Sequence, residues 1–199
     1  EKSSYWFGRA LETYGGNEAR MIFAGDTALS NAVNFPQDAR YWIDQALQIY
    51  DDNEQKLFSA ADIVLANARS FGDARNWFSR ALQIYGDDKA KLNFAANFAL
   101  TNLIHDDPQY WFGQSTGIYR KTKNTEGLQG AFDVALGLAE STVARPWLEE
   151  CIKIVTDGCV PPDDARIQKL AYVMLSMRIS GADIRSTDIS RILRYIQRP

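Results

Sequence analysis

The chain has 199 residues, of which 46% are hydrophobic and 12% aromatic, enough apolar material for one packed core or an elongated array of helices. Charged residues make up 24% of the chain, an ordinary value for a soluble protein, and the formal net charge is −3. No apolar run is long enough to cross a bilayer and no signal peptide is visible, which excludes a membrane span and leaves a cytoplasmic or periplasmic location open. Because the first residue is Glu1, we expect a chain that is processed or cut from a longer one.

The charge is unevenly distributed along the chain. Residues 1–164 contain 15 Lys and Arg against 23 Asp and Glu, whereas residues 165–199 contain seven against two. A basic segment can be a binding tail, but a terminal helical cap with a solvated basic face is the simpler interpretation, and we favour it.

The first predicted element is a helix over residues 3–14, which contains "WFGRALETY". Apolar residues fall at offsets 0, 1, 4, 5, 7 and 8 from Trp6 in most copies of this pattern, which is typical of a helix buried on more than one side. The pattern returns at intervals of 34 to 36 residues. The copies, which we call tryptophan helices, begin their patterns at Trp42, Trp77, Trp111 and Trp147.

A second pattern lies between the tryptophan helices and also predicts a helix, here called an intervening helix. It reads "AGDTALSN" from Ala24, "AADIVLAN" from Ala60, "AANFALTN" from Ala95 and "AFDVALGL" from Ala131. Linkers such as "YDDNE" and "YGDDK" contain turn and capping residues, so each repeat is two antiparallel helices. One such pair cannot bury its own apolar face, and the sequence therefore predicts that the pairs stack.

The period becomes less regular after about residue 160. The stretch "DDARIQKLAYVMLSMRIS" predicts one more intervening helix, and "STDISRILRYIQ" predicts a final helix with Ser186 or Thr187 as its N-cap. We divide the chain into four to five helix pairs over residues 1–160, beginning on a tryptophan helix, and capping helices of the same array over residues 161–199.

The helix pairs resemble tetratricopeptide repeats. The family's second helix has an Ala-x-x-x-Phe-x-x-Ala-Leu signature, and "ARNWFSRALQIYG" matches it at Ala74, Phe78, Ala81 and Leu82, with Gly86 where the family usually has proline. The resemblance covers about residues 3–160 and implies an all-α, right-handed superhelical solenoid of antiparallel helix pairs with a period of about 35 residues. The half-tetratricopeptide repeats of RNA-processing scaffolds show a similar second helix, but their first-helix tryptophan and glutamate are missing here, so we rank that family second.

The resemblance also implies a binding groove on the intervening helices. One polar position recurs there at Asp26, Asp62, Asn97 and Asp133, which we call the ladder residues. A second recurs at Asn31, Asn67 and Asn102. In the family the ladder position contacts an extended peptide, which implies an acidic-to-neutral groove for a segment containing Lys or Arg. Solvated side chains, or side chains that cap a neighbouring turn, are an equally good interpretation. The family's clamp for acidic chaperone tails needs cations where this chain has Ile22, Phe58 and Asn93, so we expect no such ligand.

Other function classes find little support in the sequence. The tryptophans lie in apolar stripes and the main part of the chain is acidic, so we expect core packing and no nucleic-acid binding. The chain has one histidine, His105, at a predicted helix end, and "HDD" lacks a second ligand cluster, so we expect no metal site. No phosphate loop or nucleophile motif appears, and we expect no cofactor and no catalysis. Cys151 fits a buried position, and a bridge to Cys159 is disfavoured by their spacing across a helix end.

Three functions follow as hypotheses. The leading one is a non-catalytic scaffold for protein–protein interaction, binding a protein or peptide partner in the groove or serving inside a larger assembly. The alternative is a helical accessory segment of an enzyme or of a secretion or export machine, such as a cell-wall lytic or polysaccharide-export system. The second alternative is a regulator that senses a peptide.

Overall fold

The computed structural model of the protein describes residues 2–103, 107–142, 145–161, 164–182 and 184–196. Within these ranges the chain is all-α: it forms helices and turns and no strand. The described helices are α1 (Lys2–Tyr14), α2 (Glu18–Asn34), α3 (Ala39–Tyr50), α4 (Glu54–Asn67), α5 (Ala74–Tyr85), α6 (Lys89–Thr101), α7 (Pro108–Thr122), α8 (Thr125–Thr142), α9 (Arg145–Thr156), α10 (Ala165–Ile179) and α11 (Ser186–Ile196), with a 3-10 turn at Pro36–Asp38.

The helices begin where the recurrent capping residues stand. Asn17, Asn53, Asp88 and Asn124 precede α2, α4, α6 and α8, and each side chain accepts a hydrogen bond from a backbone N–H of the first turn, at 2.8–3.1 Å. These caps satisfy N–H groups that have no partner within the helix. Their spacing of 35 or 36 residues repeats the spacing of the tryptophans, so a local signal defines each intervening helix.

The chain divides into two compact units, residues 1–95 and 96–199, and the division falls within α6. In the first unit α2 packs on α3, α3 on α4, and α4 on α5. Its core is formed by the inward faces of these helices. The large core side chains include Leu29, Trp42, Ile43, Tyr50, Leu65, Trp77, Phe78 and Tyr85.

The second unit repeats this arrangement of neighbouring helices. Here α7 packs on α8, α8 on α9, α9 on α10, and α10 on α11. The large core side chains include Trp111, Phe112, Tyr119, Phe132, Leu136, Trp147, Leu148, Ile154 and Ile167. This packing is compatible with a helical repeat.

Four of the five tryptophans are core residues, as the sequence predicts. Trp42, Trp77, Trp111 and Trp147 are buried, whereas the side chain of Trp6 is 68% exposed. Two of the buried rings receive a phenylalanine from the preceding tryptophan helix in an edge-to-face contact: Phe7 meets Trp42 at 5.3 Å and Phe112 meets Trp147 at 5.4 Å between ring centroids. No described side chain of α1 is buried, so this first helix contributes less to the core than its four counterparts.

Candidate functional site

The four ladder residues lie one on each intervening helix from α2 to α8. In the first unit, the Asp26 carboxylate accepts a hydrogen bond from the Tyr50 hydroxyl at 2.7 Å and two from Lys56 Nζ at 2.9 Å. Asp62 repeats the arrangement one pair later: Tyr85 donates at 2.7 Å and Lys91 at 2.6 Å. Each carboxylate therefore joins its own helix to the next tryptophan helix and the next intervening helix.

The second unit keeps part of this arrangement. The Tyr119 hydroxyl donates to Oδ1 of Asn97, and no cation is needed because the amide is neutral. Gly127 stands where Lys91 stands in the preceding repeat, six residues before the ladder position. A Cβ at Gly127 would lie 2.5 Å from the Tyr119 ring, so glycine makes room for the tyrosine there.

The last ladder residue has a cation but no tyrosine. Arg166 Nε donates to both oxygens of Asp133, at 2.9 and 3.1 Å, and Val155 occupies the tyrosine position. Among the ladder residues a carboxylate is thus always paired with a cation from the following intervening helix, and the neutral amide is not. The ladder position is therefore close to charge-neutral at every repeat.

The contacts shift the pKa values of the groups involved. Burial opposes ionisation of Asp26, but hydrogen bonds from Lys56 and Tyr50 and the charge of Lys56 lower the pKa of this carboxyl below its usual 3.8. Burial, and then the hydrogen bond to Asp26, raises the pKa of Tyr50 well above 10, and Tyr85 shows the same shift through burial and Asp62. Both tyrosines therefore remain neutral donors throughout the physiological range.

The second predicted set of polar residues makes contacts within its own helices. The side-chain amides of Asn67 and Asn102 donate to the carbonyl oxygens of Ile63 and Phe98, at 2.9 and 2.7 Å. Asn102 is 2% exposed, so its amide cannot reach a ligand without rearrangement, and we do not place it in a binding surface. Asn31 and Asn67 are half-buried on α2 and α4 and keep an accessible edge.

A cavity of about 370 Å³ lies between α2 and α4 in the first unit. Leu29, Val33 and Ile63 provide an apolar lining, with the predicted site residues Asp26 and Asn67 also at its wall. Ser30 completes the lining. We call this cavity the α2–α4 groove. It combines an apolar surface with polar groups that can orient a ligand, which is typical of binding sites.

A related cavity of about 190 Å³ lies between α8 and α10 in the second unit. Three of its six lining residues lie at repeat positions that also line the α2–α4 groove: Glu140, Val173 and Met177 correspond to Val33, Ile63 and Asn67. The space between successive intervening helices is therefore a recurrent feature of the chain.

The cations that pair with the ladder carboxylates were not predicted from the sequence. Lys56, Lys91 and Arg166 each precede the ladder position of their own helix by six residues, and the tyrosines follow the ladder residues by 22 to 24 residues. These fixed offsets were a usable signal, because a recurrent charge beside a recurrent opposite charge favours an internal pair over a free ligand contact.

The described residues contain no group of three or more His, Cys, Asp or Glu side chains that could hold a metal ion. His105 lies outside the described residues. Both cysteines are free thiols; Cys151 is buried, as predicted, and burial raises its pKa well above its usual value.

None of the described helices is both long and apolar enough to span a membrane.

No protein-family model matches the chain, and no curated protein matches it. Among solved structures, one described as "DHF58 filament" aligns with 17% sequence identity over 97% of this chain and 87% of its own, with a TM-score of 0.17. A TM-score this low carries no argument about the fold. Within the described residues, the fold and the site define an all-α protein that is compatible with a helical repeat and has grooves between α2 and α4 and between α8 and α10.

Proposed function

We propose that the protein is a non-catalytic protein-binding module, and that the α2–α4 groove receives a segment of a partner protein. The observation that carries the proposal is the composition of the groove: apolar Leu29, Val33 and Ile63 beside Asp26 and Asn67. The tetratricopeptide-like solenoid with a period of about 35 residues is part of the proposal, because in such arrays the intervening-type helices form the binding surface.

The chemistry of the groove defines the expected ligand. An apolar side chain of the ligand would fill the space beside Ile63, because burial of apolar surface is the main source of affinity in such sites. The Asp26 side chain is half-exposed although it is paired with Lys56, so it can still accept a hydrogen bond from Lys, Arg or a backbone amide of the ligand. Since Lys56 already neutralises Asp26, we expect the basic group to orient the ligand and the apolar group to bind it.

The test uses peptides displayed on phage, because the partner's sequence is unknown. A library of random peptides would be panned on the wild-type protein, and the enriched peptides would be measured by fluorescence anisotropy. We expect enriched sequences that pair an apolar residue with a nearby Lys or Arg. Ser30→Arg adds a bulky cation to the wall of the groove and should weaken binding about tenfold or more, which corresponds to about 1.4 kcal/mol.

Gln48→Arg is the matched control, since Gln48 is exposed on α3 and does not line the groove. It makes the same change of charge and should leave affinity unchanged. Enrichment of no sequence, or equal binding by the Ser30→Arg variant, would show that the α2–α4 groove is not the binding site.

A further inference from the structure

The exposed large hydrophobic side chains of the second unit are concentrated on its last two helices. Within the described part of residues 96–199, these side chains are Tyr172, Leu175 and Ile179 of α10, at 73, 44 and 86% exposure, and Leu193 of α11, at 43%. We call the three residues on α10 the terminal apolar face. The three on α10 are spaced i, i+3 and i+7, which places them on one side of the helix. Such a stripe on a helix surface is the pattern that normally packs against another helix.

Comparison with the other repeats shows what normally covers this position. Leu175 follows the ladder position of its helix, Tyr172, by three residues. The residues at the same offset from Asp26, Asp62 and Asp133 are Leu29, Leu65 and Leu136, which are 4, 0 and 2% exposed. In α10 the leucine is present at this position, but no described part of the chain buries it. Leu175 is therefore a side chain of the kind that is covered elsewhere in the protein, whereas Asp26 and Val33, which are equivalent to Tyr172 and Ile179, are exposed in α2.

The charges around the face indicate which helix would fit. Three of the nearby cations are engaged: Arg166 with Asp133, Lys169 with Glu140, and Arg185 with Asp188. The carboxylates of Asp133, Glu140 and Asp188 are therefore paired as well. Arg178, next to Ile179 on α10, and Arg191 on α11 form no ion pair in the part of the chain that the structure describes. Residues 165–199 contain seven cations against two carboxylates, and Asp133 and Glu140 of α8 compensate two of these cations.

From these observations we propose that the terminal apolar face docks an amphipathic helix of a partner protein, and that this helix is acidic along the edges of its apolar stripe. Its apolar side chains would contact Leu175, Ile179 and Tyr172, and its carboxylates would approach Arg178. A second copy of this chain is a poorer occupant for a symmetric contact, because it would place Arg178 and its neighbouring cations against the same cations. This interaction is independent of the α2–α4 groove.

The probe is a lactam-bridged helical peptide with leucines along one side and glutamates flanking them. The matched peptide carries lysine in place of each glutamate. We expect the acidic peptide to bind with a Kd of about 10–100 µM by fluorescence anisotropy, and the basic peptide to bind at least about tenfold more weakly. Raising the salt concentration should weaken the acidic peptide's binding, because the flanking charges are exposed and screened.

A double variant, Leu175→Ser with Ile179→Ser, should reduce binding about tenfold or more. Both residues are exposed, so we expect the variant to keep its helix content by circular dichroism. The control is Tyr5→Ser with Trp6→Ser, which removes equally exposed aromatic surface from the first unit and should not change binding.

Three results would overturn the proposal. The first is no binding of the acidic peptide at concentrations up to about 1 mM. The second is equal affinity for the acidic and basic peptides, or for the wild type and the Leu175→Ser, Ile179→Ser variant. The third is self-association of the wild type in sedimentation velocity that the same variant abolishes, which would show that a second copy covers the face. None of these results depends on whether the α2–α4 groove binds peptide.

Discussion

Asp51 and Gly86 end equivalent tryptophan helices with nearly the same backbone angles. Asp51 has φ 44° and ψ −106°, and Gly86 has φ 55° and ψ −113°. A side chain is strained in this region of the backbone map, and glycine is not. We therefore expect Asp51→Gly to raise the free energy of unfolding by about 1 kcal/mol, which raises Tm by about 2–4 °C in a chain of this size.

The reciprocal substitution provides the control for this prediction. Gly86→Asp introduces the same strain at the equivalent position and should lower Tm by a similar amount. Thermal unfolding followed by circular dichroism measures both variants. A lower Tm for Asp51→Gly would mean that the aspartate side chain stabilises this helix end by more than its backbone strain costs.

Asp26 allows a prediction about pH. Because the pKa of Asp26 is lower in the folded chain than its usual 3.8, the ionised carboxylate stabilises the fold above about pH 4. That contribution is lost as the pH falls through the folded pKa. The difference in unfolding free energy between wild type and Asp26→Asn should therefore shrink as the pH is lowered from about 5 to about 3, as measured by urea denaturation.

Lys56→Met tests the cause of that shift directly. Removing the ammonium group removes a hydrogen bond and a positive charge from Asp26, so the pKa of the carboxyl should rise. The carboxyl carbon of Asp26 can be followed by NMR titration in both proteins. A midpoint that is the same with and without Lys56 would contradict the assigned cause.

Among the tryptophan helices, the contribution of each tryptophan to the free energy of unfolding depends on how deeply its side chain is buried. Trp111 is 2% exposed and packs edge-to-face on Phe98, whereas Trp6 is mostly exposed. Trp111→Ala should cost about 3–5 kcal/mol, because it removes a large buried side chain and leaves a cavity. Trp6→Ala should change the unfolding free energy by less than about 0.5 kcal/mol. Urea denaturation followed by circular dichroism measures both, and equal costs would show that Trp6 is buried in solution.

The same helices show how far the sequence predicts the structure. The tryptophan period, the apolar offsets and the capping Asn and Asp residues predicted the helices from residue 3 to residue 160, because these signals are local. The final helix was also predicted, but its cap was not: α11 begins at Ser186, so neither Ser186 nor Thr187 precedes it as the N-cap. The burial of a given tryptophan depends on which neighbours cover it, and the pattern around Trp6 differs in apolar positions from that around Trp42 only in having Thr13 in place of Ile49. Periodicity therefore predicts which face packs, but not whether something covers it.

For the candidate site, the sequence located the polar positions but not their partners. Asp26, Asp62 and Asn97 were found because they recur, yet their role as links to Tyr50, Tyr85 and Tyr119 needs the packing of neighbouring helices. A polar residue at a fixed repeat position is equally compatible with a ligand contact and with an internal contact, so its recurrence alone does not distinguish the two roles. A ligand can reach the site only through the accessible surface of the α2–α4 groove, beside Leu29 and Ile63.

At the scale of the whole molecule, stability should vary along the chain with the cover that each helix receives. No described side chain of α1 is buried, whereas α4 buries Ala60, Ala61, Val64 and Leu65. Local opening requires less free energy where fewer apolar contacts are lost. We expect backbone amides of α1 to exchange with solvent at least about a hundredfold faster than those of α4, and mass spectrometry of exchanged peptides measures the difference.

The exchange measurement also separates a local effect from a global one. Trp6→Ala should leave exchange in α8 and α9 unchanged, because the residue adds no buried surface to the described core. Protection of α1 equal to that of α4 would instead require that Tyr5 and Trp6 are covered in solution. The stability of α1 would then depend on what covers its exposed side chains, because α2 and α3 already bury apolar residues of their own.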